Sequence, residues 1–139
     1  MFNKNDKNLG PDARVVSWEE FQAQMEGRTG LIKPLLMNQS FVAGLGNWIV
    51  DDILYQAGIH PERHANELDE GEVRSIFDKM KYILETAIEL ESRYKDFPDD
   101  FLVTYRWSKN QHRQEEINLE ILKVGGRSTY IDSERQRLR

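Results

Sequence analysis

The residues with the clearest chemical potential lie in two glycine-rich stretches. In Val42-Ala43-Gly44-Leu45-Gly46-Asn47, glycines two apart let the backbone approach a bulky partner. With a helix starting at Asn47, its first amides are free to meet a phosphate oxygen. The Asn47 side chain can donate to the same oxygen, and Lys33 upstream adds a full positive charge. Asn47 also fits an ordinary helix cap, a role compatible with phosphate contact, and Lys33 taken singly fits a solvated lysine. The second stretch, Val124-Gly125-Gly126-Arg127, is a turn that projects a guanidinium outward, or leaves an ordinary exposed arginine. His60 and His64 are four apart and can share a face. No carboxylate–histidine pattern of a metal site surrounds them, so they are read as structural.

These residues need elements to position them. Leu9-Gly10-Pro11-Asp12 is a turn signal ahead of the first helix, and Ser17-Trp18-Glu19-Glu20 has the spacing of a capping box that opens a helix to about Met25. A second helix is predicted over Ile32–Met37, with Pro34 tolerated in its first turn. The third runs from Asn47 to Ala57, burying Trp48, Ile53 and Leu54, with Gly58 as its C-terminal cap. His60-Pro61-Glu62-Arg63 starts a short turn or helix. Asp69-Glu70-Gly71-Glu72 repeats the capping-box spacing before a long amphipathic helix to about Tyr94, whose stripe includes Val73, Ile76, Phe77, Met80, Ile83, Leu84, Ala87, Ile88 and Leu90. After Pro98 the pattern changes. Phe101 to Trp107 reads as aromatic and β-rich, Ser108 to Glu115 as a polar loop, Ile117 to Ile121 as a half-buried strand, and Ser128 to Ile131 as its returning partner.

Composition bounds the rest. The 139 residues fit one compact domain, and 39% apolar residues suffice for a core although 31% are charged. With no cysteine, disulfides, thiolate nucleophiles and Cys-based zinc sites are ruled out. No signal peptide or membrane span is visible, so a soluble cytoplasmic protein with no membrane partner is expected. The net charge of −5 argues mildly against nucleic acid, but the charge is segregated. Glu62 to Asp100 holds twelve acidic against six basic residues, whereas Lys123 to Arg139 holds five basic against two acidic. The surplus acid belongs mostly to the long helix.

The stretch from Leu31 to Arg63, with Ile-Lys-Pro at 32–34, Val-Ala-Gly-Leu-Gly-Asn at 42–47 and Ala-Gly-Ile-His-Pro at 57–61, resembles the helix-two-turn-helix of the Fpg/Nei DNA glycosylases. That family excises oxidised bases and cleaves the abasic strand. Leu9-Gly10-Pro11-Asp12 resembles the segment preceding the module, and Lys123 to Tyr130 resembles the hairpin of the family's C-terminal zinc finger. The similarity covers about Leu9 to Gln136, the family's C-terminal half. It implies that Lys33 and Asn47 match DNA-contacting residues and that Arg127 matches the arginine reaching the phosphates around a flipped-out nucleotide. Asp52 stands where the family has a glutamate near the lesion pocket. Its side chain is shorter, and a helix-surface acid is the favoured reading.

Two departures qualify the resemblance. The family's two Cys-x-x-Cys pairs align approximately with Gln111 and Gln114 and with Asp132 and Arg135, which cannot build a thiolate site. A zincless finger without structural metal is therefore expected, held by Ile117, Leu119, Ile121, Val124, Tyr130 and Ile131 against the helices. The family's N-terminal proline nucleophile and neighbouring glutamate also have no counterpart, since the chain starts Met1-Phe2-Asn3-Lys4. The expectation is a mostly α fold: a helix-two-turn-helix domain over 1–100 and a small antiparallel β-hairpin with a basic tail over 101–139. Its expected role is phosphate clamping on double-stranded, abasic or oxidised DNA by Lys33, Gly46, Asn47 and Arg127, with no cofactor and no catalytic residue of its own. Two alternatives stay open: a glycosylase/lyase active when a separate catalytic domain is supplied, and a module repurposed for RNA or protein.

Overall fold

Helix α1 (Trp18–Met25) opens with the Glu20 amide donating to the Ser17 hydroxyl at 3.1 Å while the Ser17 amide donates to the Glu20 carboxylate at 3.0 Å. Two otherwise orphaned backbone donors are satisfied reciprocally. Helix α2 (Ile32–Met37) has no side-chain cap. The segment after α3 supplies one instead, its Arg63 and Pro61 carbonyls accepting from the Ile32 and Lys33 amides at 2.8 and 3.2 Å. Helix α3 (Asn47–Ala57) ends at Gly58, whose φ of 72° is the left-handed cap that favours glycine. A single 3-10 turn, Ala65–Glu67, leads to α4 (Glu70–Glu89), capped by the pairing of Asp69 with Glu72. Helix α5 (Val103–Arg106) and the antiparallel strands β1 (Leu119–Val124) and β2 (Arg127–Asp132) complete the chain. The computed structural model describes residues 9–90, 96–106 and 116–138.

The core lies between α1, α2, α3 and α4, where Phe21, Ile32, Leu36, Phe41, Ile53 and Ile76 are fully buried. Each buried large apolar side chain contributes roughly 1.5–3 kcal/mol by leaving water. Phe97 and Phe101 extend this core, with Phe97 edge-on to Trp48 at 5.6 Å and to Phe101 at 5.1 Å. A smaller cluster of Tyr55, Leu102 and Tyr105 receives Ile117, Leu119 and Tyr130, and so docks the hairpin on α3 and α5. Upstream of α1, Gly10 lies so close to the α2–α3 loop that a Cβ would stand 2.5 Å from the Phe41 carbonyl oxygen. Only glycine fits that approach, and the Gly10 amide donates to the Gln39 carbonyl at 2.8 Å.

Several expectations are corrected. The β-rich reading of Phe101 to Trp107 gives way to helix over Val103–Arg106, because the Asp52 carboxylate caps this segment through the Leu102 and Val103 amides. Trp107, the Ser108–Glu115 loop, Gln111 and Gln114 lie outside the described residues, as does Tyr94, to which α4 was extended. Ile88 and Ile121 are 56% and 59% exposed, so neither joins the apolar faces assigned to them. Ile121 shares a strand face with the exposed Lys123 and Ser128.

Candidate nucleic-acid interface

Gly44 has φ of 105°, a left-handed conformation that turns the chain out of the α2–α3 loop. Gly46 then caps α3 with an extended backbone and no side chain, its carbonyl accepting from the Val50 amide at 3.0 Å. Among the described residues Gly46 therefore gives α3 no side-chain cap, and the positive end of the helix dipole faces outward there, where it favours an anion. Gly46 is exposed and Asn47 half-buried. One N–H of the Asn47 side-chain amide donates to the Ser128 carbonyl at 3.2 Å, which leaves its second N–H for another acceptor. Asn47 Oδ1 is buried without a partner among the described residues.

Gly125 and Gly126, with φ of 57° and 80°, form the two-residue turn that matches the twist of a hairpin. A Cβ on Gly125 would stand 2.9 Å from Pro34 Cγ, so the hairpin tip rests on α2. Arg127 follows the turn. By the two-residue period of a strand it shares a face with Thr129 and Ile131, which are buried against the helices. At the rim it is exposed, and its guanidinium has no hydrogen bond or ion pair among the described residues. The Ser128 carbonyl thus joins Asn47, next to Gly46 at the start of α3, to the residue that follows Arg127 at the start of β2.

Lys33, expected as a phosphate-contacting cation, is buried and already paired. It is 0% exposed, and its Nζ lies 2.7 Å from Asp51 Oδ1, 2.8 Å from Thr129 Oγ1 and 3.3 Å from the Ser128 carbonyl. Burial is tolerated because the charge is paired and its three protons have acceptors. Lys33 and Asn47 therefore donate to the same carbonyl oxygen, one from beneath and one from the rim. Asp51 also accepts from the Tyr130 amide at 3.1 Å through Oδ2, joining α2, α3 and β2 in one polar network.

Asp52 is not the helix-surface acid favoured from sequence. It is fully buried, accepting from the Leu102 amide at 2.6 Å and the Val103 amide at 2.9 Å, with the Gln56 side chain at 3.4 Å. Burial pushes its carboxyl from an ordinary 3.8 up to about 7, against the opposing pull of those hydrogen bonds. His60 Nδ1 accepts from the Glu62 amide at 3.0 Å, and His64 Nδ1 contacts the Thr29 carbonyl at 2.9 Å. No cluster of three or more metal-ligating side chains exists among the described residues, and no helix there is long and apolar enough to cross a membrane.

Sequence reasoning missed the structural use of Arg135 and Gln136. Arg135 donates to the Tyr55 and Gln56 carbonyls at 2.6 and 2.9 Å, and Gln136 donates to the Ile59 carbonyl at 3.1 Å. A basic tail looks the same in sequence whether its cations meet water or a helix end. The signal for the network in the sequence was Asp51-Asp52 itself, two acids between the apolar Trp48-Ile49-Val50 and Ile53-Leu54 of α3.

The family model described as the formamidopyrimidine-DNA glycosylase H2TH domain matches residues 9–99. A formamidopyrimidine-DNA glycosylase of Arabidopsis thaliana is 32% identical over 133 residues, covering 94% of this chain and 34% of the relative. One from Lactococcus lactis is 42% identical over 86 residues, covering 60% of this chain and 32% of its own length. Among solved structures, a complex of LlFpg with THF-DNA and an inhibitor superposes with a TM-score of 0.77 at 28% identity, over 96% of this chain and 52% of that one. The complex of Lactococcus lactis Fpg with DNA containing an abasic site gives 0.71 at 29% identity, over 96% and 53%. The chain thus spans about a third of the curated relatives and about half of the solved chains. With its capped helices and glycine loop inside the matched residues 9–99, the chain belongs to the H2TH domain family of the formamidopyrimidine-DNA glycosylases.

Proposed function

We propose that this chain grips the sugar-phosphate backbone of double-stranded DNA, with abasic or oxidised duplexes as its preferred form. One phosphate meets the open amides at Gly46–Asn47 and the free N–H of the Asn47 side chain, and a neighbouring phosphate meets the Arg127 guanidinium. The observation carrying this reading is the shared Ser128 carbonyl, which draws the hairpin tip beside the uncapped start of α3. Lys33 acts from below in this reading. Its charge is already compensated by Asp51, so it sets the position of Ser128 rather than meeting DNA directly. The solved relatives bound to DNA with abasic or THF sites support the choice of partner.

Fluorescence anisotropy with an abasic-analogue duplex, an undamaged duplex and a structured RNA tests the reading. Asn47→Ala and Arg127→Ala should each weaken binding by about tenfold, and Arg127→Ala should lower the salt slope by about one. Equal binding by both variants and the parent at low salt overturns the proposal, and preference for RNA replaces it with the repurposed reading.

A second reading is favoured by the fraction of the relatives that the chain spans. In it, base excision and strand cleavage require a catalytic domain supplied by further sequence or by a partner chain. Borohydride trapping on abasic DNA should give no covalent adduct with these 139 residues alone. A stable adduct assigns an active amine to the chain itself.

A further inference from the structure

Strand β2 lies along α3 in the same direction and is fastened to it at three levels. At the start of both elements, Asn47 and Lys33 donate to the Ser128 carbonyl at 3.2 and 3.3 Å. In the middle, the Tyr130 amide donates to Asp51 at 3.1 Å. Four residues of helix rise about 6 Å and two of strand about 6.6 Å, so the 47-to-51 and 128-to-130 steps stay in register. At the end, Arg135 Nε and Nη2 donate to the Tyr55 and Gln56 carbonyls at 2.6 and 2.9 Å, with the guanidinium carbon 5.0 Å from the Tyr55 ring centroid. These carbonyls belong to the last turn of α3, where orphan acceptors and the negative end of the dipole favour a cation.

The turn that presents Arg135 is itself braced. The Asp132 amide donates to the Gln136 side chain at 2.8 Å, the Gln136 amide to the Asp132 carbonyl at 2.9 Å, and the Glu134 amide to the Asp132 carboxylate at 3.0 Å. Gln136 is buried and also donates to the Ile59 carbonyl at 3.1 Å. Hairpins of this size are not stable alone, and this one has no thiolate to close its base.

We propose that Arg135 is a positioning residue for the phosphate grip. Resting on the DNA reading above, it holds the base of β2 on the C-terminal end of α3 and so sets where Arg127 stands relative to Gly46 and Asn47. Of the three fastenings, Arg135 is the one at the base of the hairpin. Losing it lets the base of β2 shift along α3, so that the hairpin turns on its remaining attachments and Arg127 moves out of line with Gly46 and Asn47. Arg135 itself is engaged by helix carbonyls and touches no phosphate.

A double-mutant cycle on the full chain tests this, with affinity for an abasic-analogue duplex measured across salt concentrations well below the melting temperature. Arg135→Ala should weaken binding by about five- to tenfold and lower the salt slope by about one, as Arg127→Ala does, because the same contact is lost. The double variant should then bind no more weakly than Arg127→Ala alone. An Arg135→Ala chain that melts earlier but binds with parental affinity and slope has only a structural residue at 135, and the proposal falls. A double variant weaker than either single, with a second unit of slope lost, makes Arg135 a direct phosphate contact and also overturns it. Should Arg135→Ala not fold, Arg135→Lys keeps the charge but replaces the planar two-nitrogen fork with a single nitrogen, and the same cycle is read with a smaller loss. If Arg127→Ala and Asn47→Ala both leave binding unchanged, the DNA reading fails first and this proposal with it; if Arg127→Ala alone does, only this proposal falls.

Discussion

Asp51 and Asp52 are consecutive on α3 and neither reaches solvent, yet they hold different elements. Asp51 takes the Lys33 ammonium on one oxygen and the Tyr130 amide on the other, tying α3 to α2 and β2. Asp52, about 100° further round the helix, takes the Leu102 and Val103 amides and tethers the start of α5. The helix that offers its N-terminus to an anion is thereby also the post on which the C-terminal elements hang.

Asp52 should make stability depend on pH in an unusual direction for a carboxylate. Its folded pKa of about 7 lies above the ordinary 3.8, mainly through burial, so the folded chain holds a proton between those values that the unfolded chain releases. Stability from this group is therefore greatest at low pH, falls as pH rises from about 4 to 7, and is level above that, a swing of a few kcal/mol. Asp52→Asn, which keeps an acceptor for one amide, should abolish the swing. Urea denaturation of both chains at pH 5 and pH 8 measures it. A parent-minus-variant difference that does not change with pH contradicts the assignment.

The Lys33–Asp51 pair should be costly to break from one side. Lys33→Met leaves Asp51 buried without its counter-ion and should cost about 3–5 kcal/mol. Adding Asp51→Asn removes the stranded charge while leaving an acceptor for the Tyr130 amide, so the double variant should regain part of that loss. Chemical denaturation of the three chains decides the matter, and a Lys33→Met chain as stable as the parent would show the pair to be idle.

How much of this was legible in the sequence follows from the range of each interaction. The starts of α1 and α4 and the end of α3 were readable because their caps are local: Ser17 with Glu20, Asp69 with Glu72, and Gly58 at positive φ. The glycines of the α2–α3 loop and the hairpin tip were readable for the same reason. The burial of Lys33 was not readable because its partners are 18, 95 and 96 residues away, and a lysine in isolation belongs in water. The four residues of α5 carry too little periodicity to be recognised, and their cap lies 50 residues upstream. Arg135 was hidden likewise, its acceptors being backbone carbonyls that no side-chain pattern reports.

The two glycines of the hairpin tip should respond differently to alanine. Both have positive φ, so each substitution carries backbone strain of about 1 kcal/mol. A Cβ at position 126 meets nothing within 4 Å, whereas one at position 125 would stand 2.9 Å from Pro34 Cγ. Gly125→Ala should therefore cost more stability than Gly126→Ala and, by lifting the tip off α2, weaken DNA binding more. Thermal melting and anisotropy on the two variants check both halves. Equal effects would mean that the contact with Pro34 yields without moving Arg127.

Arg127 and Asn47 should separate binding from folding. The Arg127 guanidinium is exposed and makes no hydrogen bond or ion pair among the described residues, so Arg127→Glu should change stability by less than about 0.5 kcal/mol. It also places a negative charge against phosphate and should remove measurable duplex binding at physiological salt. Asn47 spends one of its two amide protons on Ser128, so Asn47→Ala should cost about 1 kcal/mol of stability as well as affinity. Melting and anisotropy on the same samples yield the contrast. Were Arg127→Glu to destabilise the chain as much as Asn47→Ala, the arginine would be part of the fold, and its loss of binding would no longer report a phosphate contact.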